Sequence, residues 1–263
     1  MQKLKAIWSY RYFILSSIKT EFYTKFVRSK LGGLWIILYP LAQVAIYAVV
    51  LSAVLSAKLP GIDSQYAYAI YLMSGIFGWT LFSDILTRCI TIFLDNANLI
   101  KKMSFPKITL PLIIVGSSLV NSVFLFIAML VVFALLGHMP NLYIFYAIPL
   151  VLIIILLSLG FGLFLGVLNV FLRDIGQIVP IVLQFWFWLT PIVYSWSIIP
   201  EKYLVYVMLN PMASVIKSFQ NVLAYKRPPD LELLYYPVGV GMFFFVLAIF
   251  IYLKANEEMA DVL

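Results

Sequence analysis

Between Lys107 and Arg173 the chain runs 65 residues without one formal charge. An ordinary soluble domain is about a quarter charged, so a run of this length does not belong to one. It holds two membrane crossings, since a single helix needs ~20 apolar residues to traverse the hydrocarbon. The sequence GHMPN at 137–141 supplies the turn between them, and its lone His138 is read as a loop residue. Other charge-poor runs give the remaining spans. These are 34–57, then 64–83 extended to about 93, then 176–197, and finally 233–253. With 64% hydrophobic and 11% charged residues, the expected fold is all-α, a polytopic bundle of six transmembrane helices. Residues 31–263 form one membrane domain. Gly160, Gly162 and Gly166 in the fourth span include a G-x-x-x-G, which permits close helix contact.

Residues 1–30 form a separate segment with seven basic residues and one acid, Glu21. Leu4, Trp8, Tyr12, Leu15, Ile18, Phe22 and Phe26 share one helical face, which predicts an amphipathic helix on the inner membrane surface. Six spans put both termini on one side. Lysine and arginine then number 13 on that side against 5 on the other, which places both termini in the cytoplasm. The net charge of +7 lies beside apolar runs, as topology signals and anionic-lipid contacts do, and does not point to nucleic acid. No cleavable leader stands out.

The stretch 180–221 departs from plain membrane filler. Pro180, Pro191, Pro200 and Pro211 punctuate it, each lacking an N–H and biasing its predecessor away from helix. Phe185, Trp186, Phe187, Trp188, Tyr194 and Trp196 are interleaved with them. Irregular backbone at membrane depth survives only where protein buries it or water reaches it. A broken, re-entrant outer segment between spans five and six is expected. A transport path and an interfacial aromatic belt both fit such a stretch.

The inner loop 94–111, LDNANLIKKMSFPKITLP, reads as a short helix with Asn96 or Asn98 as its cap. Its apolar residues beside Lys101 and Lys102 suit docking to a soluble partner, and a plain basic loop fits as well. Cys89 stands alone, so neither an intrachain disulfide nor a multi-cysteine metal site can form. No G-x-x-x-x-G-K-[ST] occurs, so the chain holds no ATP by a P-loop. Acids inside the spans are confined to Asp84 at a span margin, four residues before Arg88 as a candidate partner. An ion-coupled carrier would carry more buried ionisable groups, which argues that the energy source is elsewhere. The absence of convergent carboxylates or a His-Asp pair also argues against an intramembrane glycosyl- or acyltransferase.

Four segments carry a family resemblance. FVRSKLGGLWIILYPL at 26–41 resembles the entry to the first span of ABC-2 type polysaccharide-export permeases. NLIKKMSFPKITLPL at 98–112 is similar to their coupling loop, and LTPIVYSWSIIPE and LNPMASVI to their broken outer segment. EEMADVL at the C-terminus resembles the lipopolysaccharide O-antigen branch. The resemblance runs from about residue 20 to the end. It implies the ABC-2, or type V exporter, fold and a homodimer joined to two copies of a separate ATPase, which binds ATP and Mg. The chain itself would have no cofactor and no catalytic or metal site. The implied cargo is an undecaprenyl-linked polysaccharide crossing the bacterial inner membrane. Teichoic acid, capsule polysaccharide, or a small lipid or drug are the alternatives.

Site residues follow from both lines. Asn98, Leu99, Ile100, Lys101, Lys102, Met103, Phe105 and Pro106 are expected to couple to the ATPase. Tyr39, Gln43 and Tyr47 recur on one helix face, and with Phe185 and Trp188 they are candidates to line the path. Aromatic faces pack on the C–H faces of sugars. Pro191, Tyr194, Trp196, Pro200, Asn210 and Pro211 are expected to form an outer gate.

Overall fold

The computed structural model describes residues 10–27, 30–35, 37–39, 41–42, 66–102 and 108–262. All regular structure among them is helical. The helices are α1 (Arg11–Val27), α2 (Ala67–Asp95), α3 (Ala97–Lys102), α4 (Thr109–Leu135) and α5 (Ala147–Phe171). They continue as α6 (Ile175–Leu189), α7 (Glu201–Met208), α8 (Pro211–Leu223) and α9 (Leu231–Val262). Four stretches are long and apolar enough to cross a membrane: Ala67–Asp95, Thr109–Leu135, Leu142–Phe171 and Leu231–Ala255. Most of the first expected span lies outside the described residues. Residues 34–35, 37–39 and 41–42 at its start are helical.

Helix α2 is the axis of the bundle. Ile70, Tyr71, Phe82, Ile85 and Cys89 along it are fully enclosed. Apolar burial cannot hold helices together in lipid, where the tails are as apolar as leucine; close van der Waals contact does it instead. The glycines of α5 provide that contact. A Cβ on Gly162 would lie 2.6 Å from the Cys89 Cβ, and one on Gly166 2.4 Å from the Cys89 carbonyl oxygen. The G-x-x-x-G therefore faces α2. Gly160, turned the other way, meets α9: its Cβ would lie 2.8 Å from the Gly241 carbonyl oxygen. Helix α5 is thus held between α2 and α9.

Buried polar groups supply the rest. Asn169 donates from Nδ2 to the Ile90 carbonyl at 3.0 Å and accepts the Gly176 N–H at 2.8 Å. One side chain thereby ties the end of α5 and the start of α6 to α2. The turn at 137–141 uses Gly137, at φ +71°, to reverse direction. His138 is more than a loop residue. Its Nε2 lies 3.0 Å from the Leu223 carbonyl, and its ring meets Phe133 edge-on.

The second helix runs to Asp95, close to the expected 93, with Asp84 and Arg88 in its second half. Two expectations change. Arg88 pairs with Glu21 of α1 at 2.7 Å, while Asp84 accepts from Ser118. In α1, Tyr12 and Leu15 of the expected apolar stripe are exposed. The side that packs carries Phe22, stacked on Phe124 at 5.5 Å, and Ile18, beside Gly116.

Candidate functional site

The four prolines sort the stretch 180–221 into pieces. Pro180 lies inside α6. Helix α6 stops at Leu189, short of the expected 197, because Thr190 before Pro191 is extended at φ −96°, ψ 132°. Pro200 precedes α7, and Pro211 opens α8, where its missing N–H costs nothing. Neither α7, with 8 residues, nor α8, with 13, is long enough to cross a bilayer.

Helix α8 is nevertheless deeply enclosed. Met212, Val215, Ile216, Phe219, Val222 and Leu223 are all fully buried. It lies against α2 where Gly75 and Gly78 leave room. A Cβ on Gly78 would meet Ile216 at 3.0 Å and Phe219 at 3.1 Å, and one on Gly75 would meet Gln220 at 3.1 Å.

The irregular backbone between α6 and α7 is held by side chains from α2 and α8. Tyr71 donates its hydroxyl to the Tyr194 carbonyl at 3.1 Å, and Tyr68 donates to the Val193 carbonyl. Gln220 of α8 donates to the Pro191 carbonyl at 2.9 Å and accepts the Trp196 indole N–H at 3.3 Å. Non-helical carbonyls are thus satisfied inside the protein, as membrane depth demands. Lys217 lies 5.3 Å over the Trp196 ring and 3.2 Å from Asp230.

Asn210 joins the two ends of the segment. Its Oδ1 caps α8 by accepting the Met212 N–H at 3.0 Å and also accepts the Trp186 indole N–H at 2.8 Å. Its Nδ2 donates to Thr190 Oγ1 at 2.8 Å. Of the expected gate residues, Pro191, Tyr194, Trp196, Asn210 and Pro211 come together here, while Pro200 stands exposed at the start of α7. The sequence reading missed Tyr68, Tyr71, Trp186, Thr190 and Gln220. One signal was available: Ser214, Lys217, Ser218, Gln220 and Asn221 cluster in an otherwise apolar stretch, so a helix there needs internal partners.

Phe185 and Trp188 lie on the outward side of α6, 68% and 51% exposed, with Ile178, Ile181 and Val182. Gln177 and Gln184 share that side, seven and four residues before the next member of the row that ends at Trp188. Tyr39 is 71% exposed. Gln43 and Tyr47 lie outside the described residues. At the opposite end, α2 gives way to α3 at Asn96, whose Nδ2 donates to the Ile92 carbonyl at 2.8 Å. Asn96 therefore closes α2, and its side chain does not serve as the expected cap of α3. Asn98, Leu99 and Lys101 are exposed, whereas Ile100 turns back toward the bundle. Lys102 ends α3; Met103, Phe105 and Pro106 lie outside the described residues.

Four long apolar helices, sealed polar backbone and helix contacts made at glycine define an integral membrane protein. The chain belongs to the ABC-2 type transporter family, whose model matches residues 13–224. It is 28% identical over 260 residues to the O-antigen export system permease protein RfbA of Myxococcus xanthus, covering 98% of each chain. Against an RfbA of Klebsiella pneumoniae it is 30% identical over 202 residues, 75% of this chain and 74% of that protein. The polysialic acid transport protein KpsM of Escherichia coli is 27% identical over 202 residues, 75% of each chain.

Proposed function

We propose that this chain is the membrane-spanning permease subunit of an ABC exporter that moves a lipid-linked polysaccharide outward across the bacterial inner membrane. The observation that carries this reading is the end-to-end match to O-antigen export permeases, 98% of both chains in one case. Two copies pair, and two copies of a separate ATPase bind and hydrolyse ATP with Mg. The chain has six spans, with 34–57 as the first and α6 as the fifth. The segment from Thr190 to Leu223 re-enters from the outside.

The exposed side of α6 supports a path there. A glutamine facing lipid leaves its amide without partners, at a cost of several kcal/mol. Gln177 and Gln184 are better served by water, glycan hydroxyls or a second protein surface. Phe185, Trp188 and, from the first span, Tyr39, Gln43 and Tyr47 give the sugar chain many weak contacts. Weak, repeated contact suits a polymer that must slide. Asn98–Pro106 docks on the ATPase, and Pro191–Pro211 forms the outer gate.

The test is deletion of the gene in its host, followed by periodate–silver staining of surface polysaccharide. Loss of surface glycan with its accumulation on lipid inside, restored by a plasmid copy, is expected. Unchanged surface glycan would overturn the reading. Orientation is checked by cysteines at Ser104 and Ser197 in a Cys89→Ser background. An impermeant thiol reagent on spheroplasts should label position 197 and spare 104.

A further inference from the structure

Glu21 is the single acid among the first 30 residues, and it is only part-exposed. Its two carboxylate oxygens are divided between two other helices. Oε1 lies 2.7 Å from Arg88 Nη2 of α2, and Oε2 accepts the Ser117 hydroxyl of α4 at 2.8 Å. Arg88 also donates from Nη1 to Ser118 Oγ at 3.3 Å, and Ser118 donates its own proton to Asp84 Oδ2 at 2.5 Å. Consecutive serines on a helix point about 100° apart, so Ser117 serves α1 while Ser118 serves α2. The guanidinium is thus shared by one carboxylate directly and a second through a hydroxyl. Ile18 and Phe22 seal the apolar side against Gly116 and Phe124.

This chain of contacts lies close to two neighbouring elements. Seven residues beyond Arg88, α2 ends and passes through Asn96 into α3. Five residues beyond α1, the backbone turns at Gly32, φ +47°, into the helix that carries Tyr39. We propose that Glu21 and Arg88 are positioning residues, which join α1 to the inner end of α2 so that displacement of α3 is carried into α1 and on to the first span. This rests on the reading of α3 as the ATPase-docking helix. A planar guanidinium held by a carboxylate fixes direction as well as distance, which an apolar contact such as Phe22 on Phe124 does not.

The geometry supplies a variant that leaves Arg88 near a second carboxylate. Glu21→Gln removes the ion pair between α1 and α2 yet leaves Arg88 compensated by Asp84 through Ser118. Arg88→Gln takes the guanidinium away from both carboxylates at once, which is more damaging to folding. Glu21→Gln complexes should therefore assemble at the wild-type ratio of permease to ATPase. In nanodiscs, kcat for ATP hydrolysis per assembled complex should fall about three- to tenfold with KM for ATP unchanged, the range expected for a coupling residue. A purely structural loss would lower the yield of complex and leave both constants alone. In the double variant Glu21→Gln with Arg88→Gln, yield should recover relative to Arg88→Gln alone. Wild-type kcat in Glu21→Gln would overturn the proposal, even if Arg88→Gln fails to assemble. Leu99→Ala, run in parallel, tests the docking reading by itself. It should release the ATPase, and if it does not, docking fails independently of the kcat result.

Discussion

The Asn210 carboxamide accepts the Trp186 indole N–H at 2.8 Å and closes the broken outer segment onto the helix it interrupts. Trp186 is also wedged edge-on against Phe82 and Phe161 at 5.2 and 5.7 Å. The start of α8 is therefore referenced to the aromatic interior of the bundle.

Asn210→Ala should be strongly destabilising for its size. It removes the cap of α8, at about 1 kcal/mol, and orphans the Trp186 N–H, at about 1–3 kcal/mol more. Asn210→Asp keeps both acceptor functions and loses only the donor to Thr190, so it should be clearly milder. The thermal midpoint of the purified chain in detergent ranks the two, and equal midpoints would mean that the network contributes little.

Glycine substitutions should separate by location. Gly166→Ala places a Cβ 2.4 Å from a backbone oxygen of α2, and backbone cannot yield as a side-chain end can. It should cost about 1–3 kcal/mol by overpacking and lower the yield of folded protein. At Gly239, in α9, an added Cβ meets nothing within 4 Å. Gly239→Ala should be neutral or stabilising by up to ~1 kcal/mol through helix propensity. Yield after size-exclusion chromatography is the measurement. The reverse order would contradict the α2–α5 crossing.

Much of this was legible in the sequence because the signals are local. Prolines end helices through their own covalent geometry, which is why Pro191, Pro200 and Pro211 all fall at boundaries. Charge-free length gave the long helices, and the spacing of Gly162 and Gly166 gave one close crossing. What could not be read was which polar side chains meet across the fold. Glu21 and Arg88 are 67 positions apart, and Arg88 has Asp84 one turn away as a nearer partner by sequence. Only the packing of α1 on α4 selects Glu21. The burial of α8 was likewise hidden, since its partners Gly75 and Gly78 lie over 130 residues earlier.

His138 should make the corner at 137–141 acid-sensitive. Burial lowers its pKa below the ordinary 6.5, assisted by the charge of Lys226 and opposed by the Leu223 carbonyl that accepts its N–H. Above 6.5 both folded and unfolded chains carry the neutral ring, so pH has no effect through this group. As pH falls below 6.5, the unfolded chain takes up a proton that the folded chain resists, and stability declines until the folded pKa is passed. The midpoint in detergent should drop between pH 7.5 and 5.5 by more in wild type than in His138→Gln, which keeps a donor for Leu223 and does not titrate. Equal drops would show that His138 is not the sensor.

The aromatic residues of α6 divide into two sets with opposite expected behaviour. Trp186 and Phe187 face inward, and Phe187 is only 7% exposed; Phe185 and Trp188 face outward. Deleting a packed aromatic costs about 3–5 kcal/mol, so Trp186→Ala and Phe187→Ala should chiefly reduce the amount of folded protein. Phe185→Ala and Trp188→Ala remove side chains that are more than half exposed and should cost less yield than the inward pair. If that surface stacks on sugar rings, each loss removes about 0.5–1.5 kcal/mol of contact and slows export by a modest factor. Tyr39→Ala combined with Trp188→Ala should slow it further, because one polymer touches both. The measurement is surface glycan per assembled complex, with complex quantified in the same cells. Normal export per complex with Tyr39, Phe185 and Trp188 all replaced by alanine would assign this face to lipid or to the second copy, and the path would have to run elsewhere.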